Sequence, residues 1–255
     1  MARMKTPVTL CVTSGKGGVG KTSIAVNLAF ALVQKGQRVL VVDGDLGLAN
    51  VDVLLRLSVQ RTICDVLDSG ADPLESVIYL EESLGILPAS SGVPEMVTLG
   101  PEEQAQLGEV LTSIMSHFDY VLVDTAAGIG PSVLWFNRFV DHNIILLSPD
   151  PTSFTDAYAL IKILSRDYDR DYFYVVFNLV SSEREGRQSY KILEGVVNKF
   201  LDVDIEYLGA IPQDKVIHKA VREQLPFVQQ APQSNAARAV FDLADRIRML
   251  KEKQD

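Results

Sequence analysis

One stretch constrains this chain more than any other: Gly15-Lys16-Gly17-Gly18-Val19-Gly20-Lys21-Thr22, which fits the pattern G-x-x-x-x-G-K-[ST]. It follows an apolar run at 8–13 and leads into an amphipathic stretch at 21–35 that stops at Gly36. A buried strand that turns through glycines into a helix points its backbone N–H groups into one concavity. The helix N-terminus adds positive potential there, so the natural occupant is a phosphate group. Lys21 is spaced to reach the β- and γ-phosphates of a nucleotide. Thr22 can place a hydroxyl on Mg²⁺, and Ser23 extends the loop's contacts into the helix.

The rest of the chain continues the alternation. Apolar segments at 38–43, 120–124, 143–148, 172–179 and 207–211 predict buried strands. Amphipathic segments at 102–117, 153–167, 186–200, 215–223 and 234–251 predict helices, and Asp72-Pro73-Leu74-Glu75 reads as a capped helix start. Strands without polar alternation, separated by helices, predict an α/β fold: a mainly parallel twisted sheet with helices on both faces. No repeat, low-complexity tract or linker interrupts the chain. A single domain over 1–255 is expected, with a core at 7–233 and a C-terminal helix at 234–255.

Composition narrows the function classes. The net charge of −9 opposes a general nucleic-acid binder, which needs a basic surface to neutralise phosphates. Two cysteines, Cys11 and Cys64, make no disulfide framework, and a cytoplasmic location is expected. His117, His142 and His218 lack ligand spacing for zinc. No run of 18 apolar residues suggests a membrane span, and residues 1–7 are too short for a signal peptide.

Carboxylates complete the pattern. Asp43 and Asp45 follow the second predicted strand, and Asp124 ends the third, where ligands bind in parallel sheets. Each could alone be a helix cap or turn residue; the phosphate loop favours a site. Asp124 has the placement of a residue that holds Mg²⁺ through water. No Gln, Glu or His in these segments stands out as a strong base, so slow turnover is expected. Asn178 and Pro212-Gln213-Asp214 end two further strands. No Asn/Thr-Lys-x-Asp guanine signature is present, so ATP is expected over GTP.

Lys-Gly-Gly-Val-Gly-Lys-Thr at 16–22 resembles the deviant Walker A motif of the MinD/ParA-like ATPases. The resemblance implies that Lys16, otherwise a solvated loop charge, reaches across a homodimer interface to the partner's nucleotide. ATP then forms part of the subunit contact, and hydrolysis releases it. It also implies that Asp45 is the switch I aspartate orienting the attacking water, with Asp43 close to the metal. Asp124-Thr125-Ala126-Ala127-Gly128 is similar to switch II, where Gly128 senses the γ-phosphate. Asn178 would hydrogen-bond adenine, and Pro212 and Asp214 would lie against it. The implied catalytic set is Lys16, Lys21 and Asp45, and the implied metal set is Thr22, Asp43 and Asp124.

Longer segments resemble the FlhG/FleN branch: 45–52, Pro88-Ala89-Ser90-Ser91-Gly92, 124–129, 151–162 and Leu208-Gly209-Ala210-Ile211-Pro212. The branch implies regulation of flagellar number and placement, or of flagellar gene expression. It implies as partners the signal-recognition-type GTPase FlhF, flagellar C-ring proteins and a transcription activator such as FleQ. The Asp-Gln-Ala-containing segment by which relatives stimulate FlhF is missing before the loop. A tail at 238–251 places Val240, Leu243, Ala244, Ile247 and Leu250 on one helix face. That face suits packing on the domain at least as well as peripheral attachment to the cell membrane, given Asp242 and Asp245. The alternative reading is a MinD/ParA-type division-site or cargo-positioning ATPase.

Overall fold

The computed structural model describes residues 6–46, 50–63, 65–66, 72–89 and 100–254, with the backbone alone at 251–254. Cys64 and parts of two resemblance segments, 47–49 and 90–92, lie outside these residues.

Eight strands form one sheet in the order β3-β4-β2-β5-β1-β6-β7-β8. They are β1 (Val8–Ser14), β2 (Val39–Gly44), β3 (Ile78–Glu81), β4 (Leu84–Leu87), β5 (Tyr120–Ala127), β6 (His142–Leu147), β7 (Tyr172–Val180) and β8 (Asp204–Pro212). Every neighbouring pair is parallel except β3 and β4, which form an antiparallel edge. Residues of β1, β2 and β5 are almost wholly buried, as expected for strands covered on both faces.

The helices are α1 (Lys21–Gln34), α2 (Val51–Leu55), α3 (Pro101–Met115), α4 (Pro131–Phe139), α5 (Pro151–Tyr168), α6 (Glu183–Phe200), α7 (Lys215–Glu223), α8 (Phe227–Gln230) and α9 (Asn235–Gln254). On one face, α1, α8 and α9 pack over Val8, Leu10, Val12, Val39 and Val41. On the other, α3 and α4 cover Cys11, Leu40, Val42, Val121 and Val123, and α5 and α6 cover Ile145, Leu147, Phe173 and Val175. Alternate residues of β1 therefore feed opposite cores, which pins the strand that carries the loop.

Several elements depart from the predicted segments. Asp72 does cap Leu74 N–H, but the element it starts is a four-residue 3-10 turn at Pro73–Ser76. Leu84–Leu87 and Ile78–Glu81 are strands too short for a periodic signal. Helix α4 has no counterpart among the predicted segments, although Pro131 stands at its first turn, a standard start signal. In α9, Val240, Leu243, Ala244, Ile247 and Leu250 are buried against the domain. The apolar face weighed as a membrane surface is already occupied, because α1 and β8 cover it. No described helix is long and apolar enough to cross a membrane.

Candidate nucleotide site

β1 runs between β5 and β6, and the chain from β1 crosses to β2 while that from β5 crosses to β6. A crevice opens at such a reversal, beyond the C-terminal strand ends. The loop from Gly15 to Gly20 lies there and delivers the chain into α1. A cleft of about 490 Å³ is lined by Gly17, Gly18, Gly20, Lys21, Thr22 and Ser23 on the loop side. Asp45 and Asn50 line it from one wall, and Thr125, Ala126 and Ala127 from another.

Two glycines are required by geometry. A Cβ on Gly15 would lie 2.3 Å from the Asp156 carbonyl oxygen, so only glycine lets the loop pass under α5. Gly20 has φ +94°, and a Cβ there would also meet Asn178 Nδ2 at 2.6 Å. Val19 is buried, and its carbonyl accepts a 2.8 Å hydrogen bond from Asn178 Nδ2.

Lys21 is buried, and its Nζ donates to Ser14 Oγ at 3.0 Å. Burial pulls its pKa down, while the charges of Asp124 and Asp45 oppose that shift. The ammonium lines the cleft with N–H donors to spare, suited to an anion. Thr22 hydrogen-bonds Asp124, whose carboxyl burial pushes up to about 7. Asp124 Oδ1 and Ser23 Oγ are buried with no hydrogen-bond partner. An orphaned carboxylate oxygen beside a hydroxyl is a costly arrangement unless a ligand completes it. A divalent cation with its waters suits that donor set, so the residues present fit Mg²⁺.

Asp43 has backbone partners for both of its oxygens. Its Oδ1 accepts from Asp45 N–H at 3.1 Å, and its Oδ2 from Asn50 N–H at 2.9 Å and Val51 N–H at 3.1 Å. Both oxygens are thus engaged in holding the start of α2. Burial still raises its carboxyl to about 6 against those three bonds. Asp43 thus clamps the backbone at Asp45, Asn50 and Val51, and Thr22, Asp43 and Asp124 remain the proposed metal set.

Lys21, Thr22 and Asp45 line one cleft, Asp124 lies buried behind it on its hydrogen bond to Thr22, and Gly128 N–H is bonded to the Ser14 carbonyl at 2.9 Å. Lys16 points elsewhere: its Nζ donates to Asp150 Oδ1 at 2.8 Å and to Thr152 Oγ1 at 2.7 Å. Asp150 caps α5 by accepting from Ser153 N–H and also takes a bond from Ser148 Oγ. The Asp150-Pro151 pair signals a helix start in the sequence but carries no sign of its lysine partner. Pro212 pairs with Val180 across β7 and β8. Asp214 caps α7 through Val216 N–H at 3.1 Å. Asn178 thus touches the loop through Val19, Pro212 ends β8 and Asp214 opens α7, and none of the three is in the cleft lining. Val53, Leu54, Val221 and Gln224 line the cleft as well, and no motif marks them.

Comparisons with known proteins agree with this geometry. The family model described as ParA, NUBPL iron-transfer P-loop NTPase, matches residues 5–248. Antiactivator FleN of Pseudomonas aeruginosa is 42% identical over 247 residues, covering 97% of this chain and 88% of FleN. The flagellum site-determining protein YlxH of Helicobacter pylori is 35% identical, covering 92% of this chain and 80% of YlxH. Among solved structures, the septum site-determining protein MinD of Pyrococcus horikoshii, complexed with Mg-ADP, superimposes with a TM-score of 0.78. It is 26% identical, with 98% of this chain and 99% of MinD covered. Fold, loop and cleft thus converge with these matches, and the chain belongs to the MinD/ParA family of P-loop NTPases, in the branch that includes FleN and YlxH.

Proposed function

We propose that this chain is a slow, Mg²⁺-dependent ATP hydrolase that works as an ATP-controlled dimeric switch over flagellar number, placement or flagellar gene expression. The observation that carries the reading is the buried Lys21 beside the orphaned Asp124 oxygen, at the mouth of a glycine loop. Gly17 to Ser23 would cradle the phosphates, and Thr22, Asp43 and Asp124 would hold Mg²⁺. The ion, when bound, neutralises charge on the β- and γ-phosphates. Asp45, at the wall of the cleft, would orient the attacking water.

The described lining offers no His or Glu as a stronger base, which supports slow turnover. Asn178, Pro212 and Asp214 stand where a base would extend from the loop, and ATP is the proposed nucleotide. Lys16 is the proposed trans contact in a homodimer. The names of the relatives, an antiactivator and a flagellum site-determining protein, support a flagellar role over division-site positioning. A FlhF-like GTPase, C-ring proteins or a FleQ-like activator are the proposed partners, and the cytoplasm the proposed location. No membrane track is assigned to α9, whose apolar face is buried.

Light scattering of Asp45→Ala with ATP tests the switch: dimers are expected, and a persistent monomer overturns it. Lys21→Ala should weaken ATP binding about a hundredfold, the scale of losing strong bonds to charged groups. A pull-down from the source cells with the ATP-locked form reports the partner.

A further inference from the structure

A short element, α2, lines the cleft beside Asp45. Helix α2 has five residues, Val51–Leu55, and a helix of that length is unstable on its own. Val51 anchors it in the main core with Leu54 and Leu55 packed alongside, and side chains fasten each of its ends. The N-terminal end is fastened by Asp43, which accepts Asn50 N–H and Val51 N–H. The C-terminal end is fastened by Gln224. Gln224 Nε2 donates to the Val53 carbonyl at 2.5 Å, and Arg56 Nε donates to Gln224 Oε1 at 2.6 Å. The Val53 carbonyl takes only a long 3.4 Å bond from Arg56 N–H within the helix end, and Gln224 adds a shorter one from another helix.

Gln224 is the residue that ends α7, and its backbone has φ +55°; Arg56, which ends α2, has φ +52°. Glycine is the usual residue for a left-handed helix end. Here each position carries a long polar side chain, and the two side chains meet. Their shared hydrogen bonds give a reason for side chains at two sites whose backbone favours none. Helix α7 is a firm support, because Ala220 is buried in the main core and Ile217 packs against it. Its other end begins at Asp214, beside the strand ends where the base is proposed to lie. At about 1.5 Å per residue, α7 spans about 13 Å from there to Gln224. Gln224, Val221, Val53, Leu54, Asn50 and Asp45 all line the same cleft.

We propose that Gln224 is a positioning residue for hydrolysis: it fastens α2 to α7 and so sets Asn50, whose Nδ2 donates to Asp45 Oδ2 at 3.3 Å, and through it Asp45 against the nucleotide. The inference rests on the proposed nucleotide site. Gln224 touches no reacting atom; it acts through α2. Two hydrogen bonds of ordinary net strength correspond to about tenfold in the docked population.

Gln224→Gly is the informative variant, because glycine keeps the left-handed turn at lower backbone cost and removes only the side chain. In the nucleotide-free protein, amide exchange at residues 54–57 should quicken about tenfold. In saturating Mg-ATP, kcat should fall about tenfold, while KM for ATP and affinity for ADP stay within about twofold. Gln224→Glu, which keeps an acceptor for Arg56 but loses the donor to Val53, should lie between. Adding Arg56→Gly to Gln224→Gly should cause little further loss, since both remove one bridge. Unchanged exchange at 54–57, unchanged kcat, or a change confined to KM would each overturn the proposal. Wild-type protein that binds no nucleotide would instead overturn the proposed function, while the exchange measurement would still report whether Gln224 holds α2.

Discussion

Lys16 Nζ lies 2.8 Å from Asp150 Oδ1 of its own chain, and 2.7 Å from Thr152 Oγ1. The lysine proposed to reach a second subunit is therefore bound at home in the single chain. In the proposed homodimer this contact would give way to the trans one. Both side chains are more than a third exposed, at 37% and 39%, so the pair is screened and holds Lys16 with modest strength. Asp150→Ala should lower the concentration for ATP-dependent dimerisation about two- to fivefold, read by sedimentation in an Asp45→Ala background. A higher dimerisation concentration would mean that Asp150 also serves the dimer.

Asp43 and α2 provide a stability test. Replacing Asp43 by Ala strips three backbone N–H groups of their acceptor, though it also relieves the burial of a carboxylate. A net loss of about 1–3 kcal/mol in urea denaturation is expected, from the usual cost of unpaired buried donors. A role confined to the metal would instead leave stability of the nucleotide-free protein unchanged and weaken only the response to Mg²⁺.

The two buried carboxyls set a pH dependence. Asp124 is raised from 3.8 to about 7 by burial, and Asp43 to about 6 by burial. A carboxyl with a folded pKa above its unfolded value favours folding when protonated and disfavours it once ionised. Their joint contribution to stability is full below about pH 4 and is lost as pH rises to about 7. Asp124→Asn should flatten that part of the stability profile in nucleotide-free protein. On the proposed site, Mg²⁺ would compete with the proton on Asp124, so stabilisation by Mg-ADP should grow between about pH 5.5 and 8. Thermal unfolding across that range checks both, and a response to Mg-ADP that is constant with pH would contradict the assignment of Asp124.

The tail offers a clean discrimination. Ile247 is fully buried in the core beneath α9. Ile247→Ala should cost about 2–4 kcal/mol, the range for removing a large aliphatic side chain from a packed site. Vesicle co-sedimentation should be unchanged by the substitution. A surface-bound membrane helix would show the opposite: normal stability and lost vesicle binding.

Much of the site is local in sequence. Gly15 to Ser23 announce themselves because a phosphate loop needs its glycines, lysine and threonine at fixed spacing on one strand-to-helix turn. Asp124 could be read from its place at the end of an apolar strand. Asp43 illustrates the boundary: its position after a strand was plain, but its three N–H partners at Asp45, Asn50 and Val51 appear only once the loop is folded back. Helix α4 and the β3–β4 edge were less legible, since four-residue strands and a nine-residue helix carry few periods of hydrophobic pattern.

The class of fold, the phosphate loop and the proposed roles of Lys21, Thr22 and Asp124 could be read from residue type and short-range spacing. Tertiary structure alone decided that Lys16 rests on Asp150, 134 positions away, and that the face of α9 is buried. It also decided that Gln224 meets Val53, 171 positions away. Such contacts arise where strand ends and helix ends converge around the cleft. Their partners are chosen by sheet order and helix packing, which no local pattern encodes.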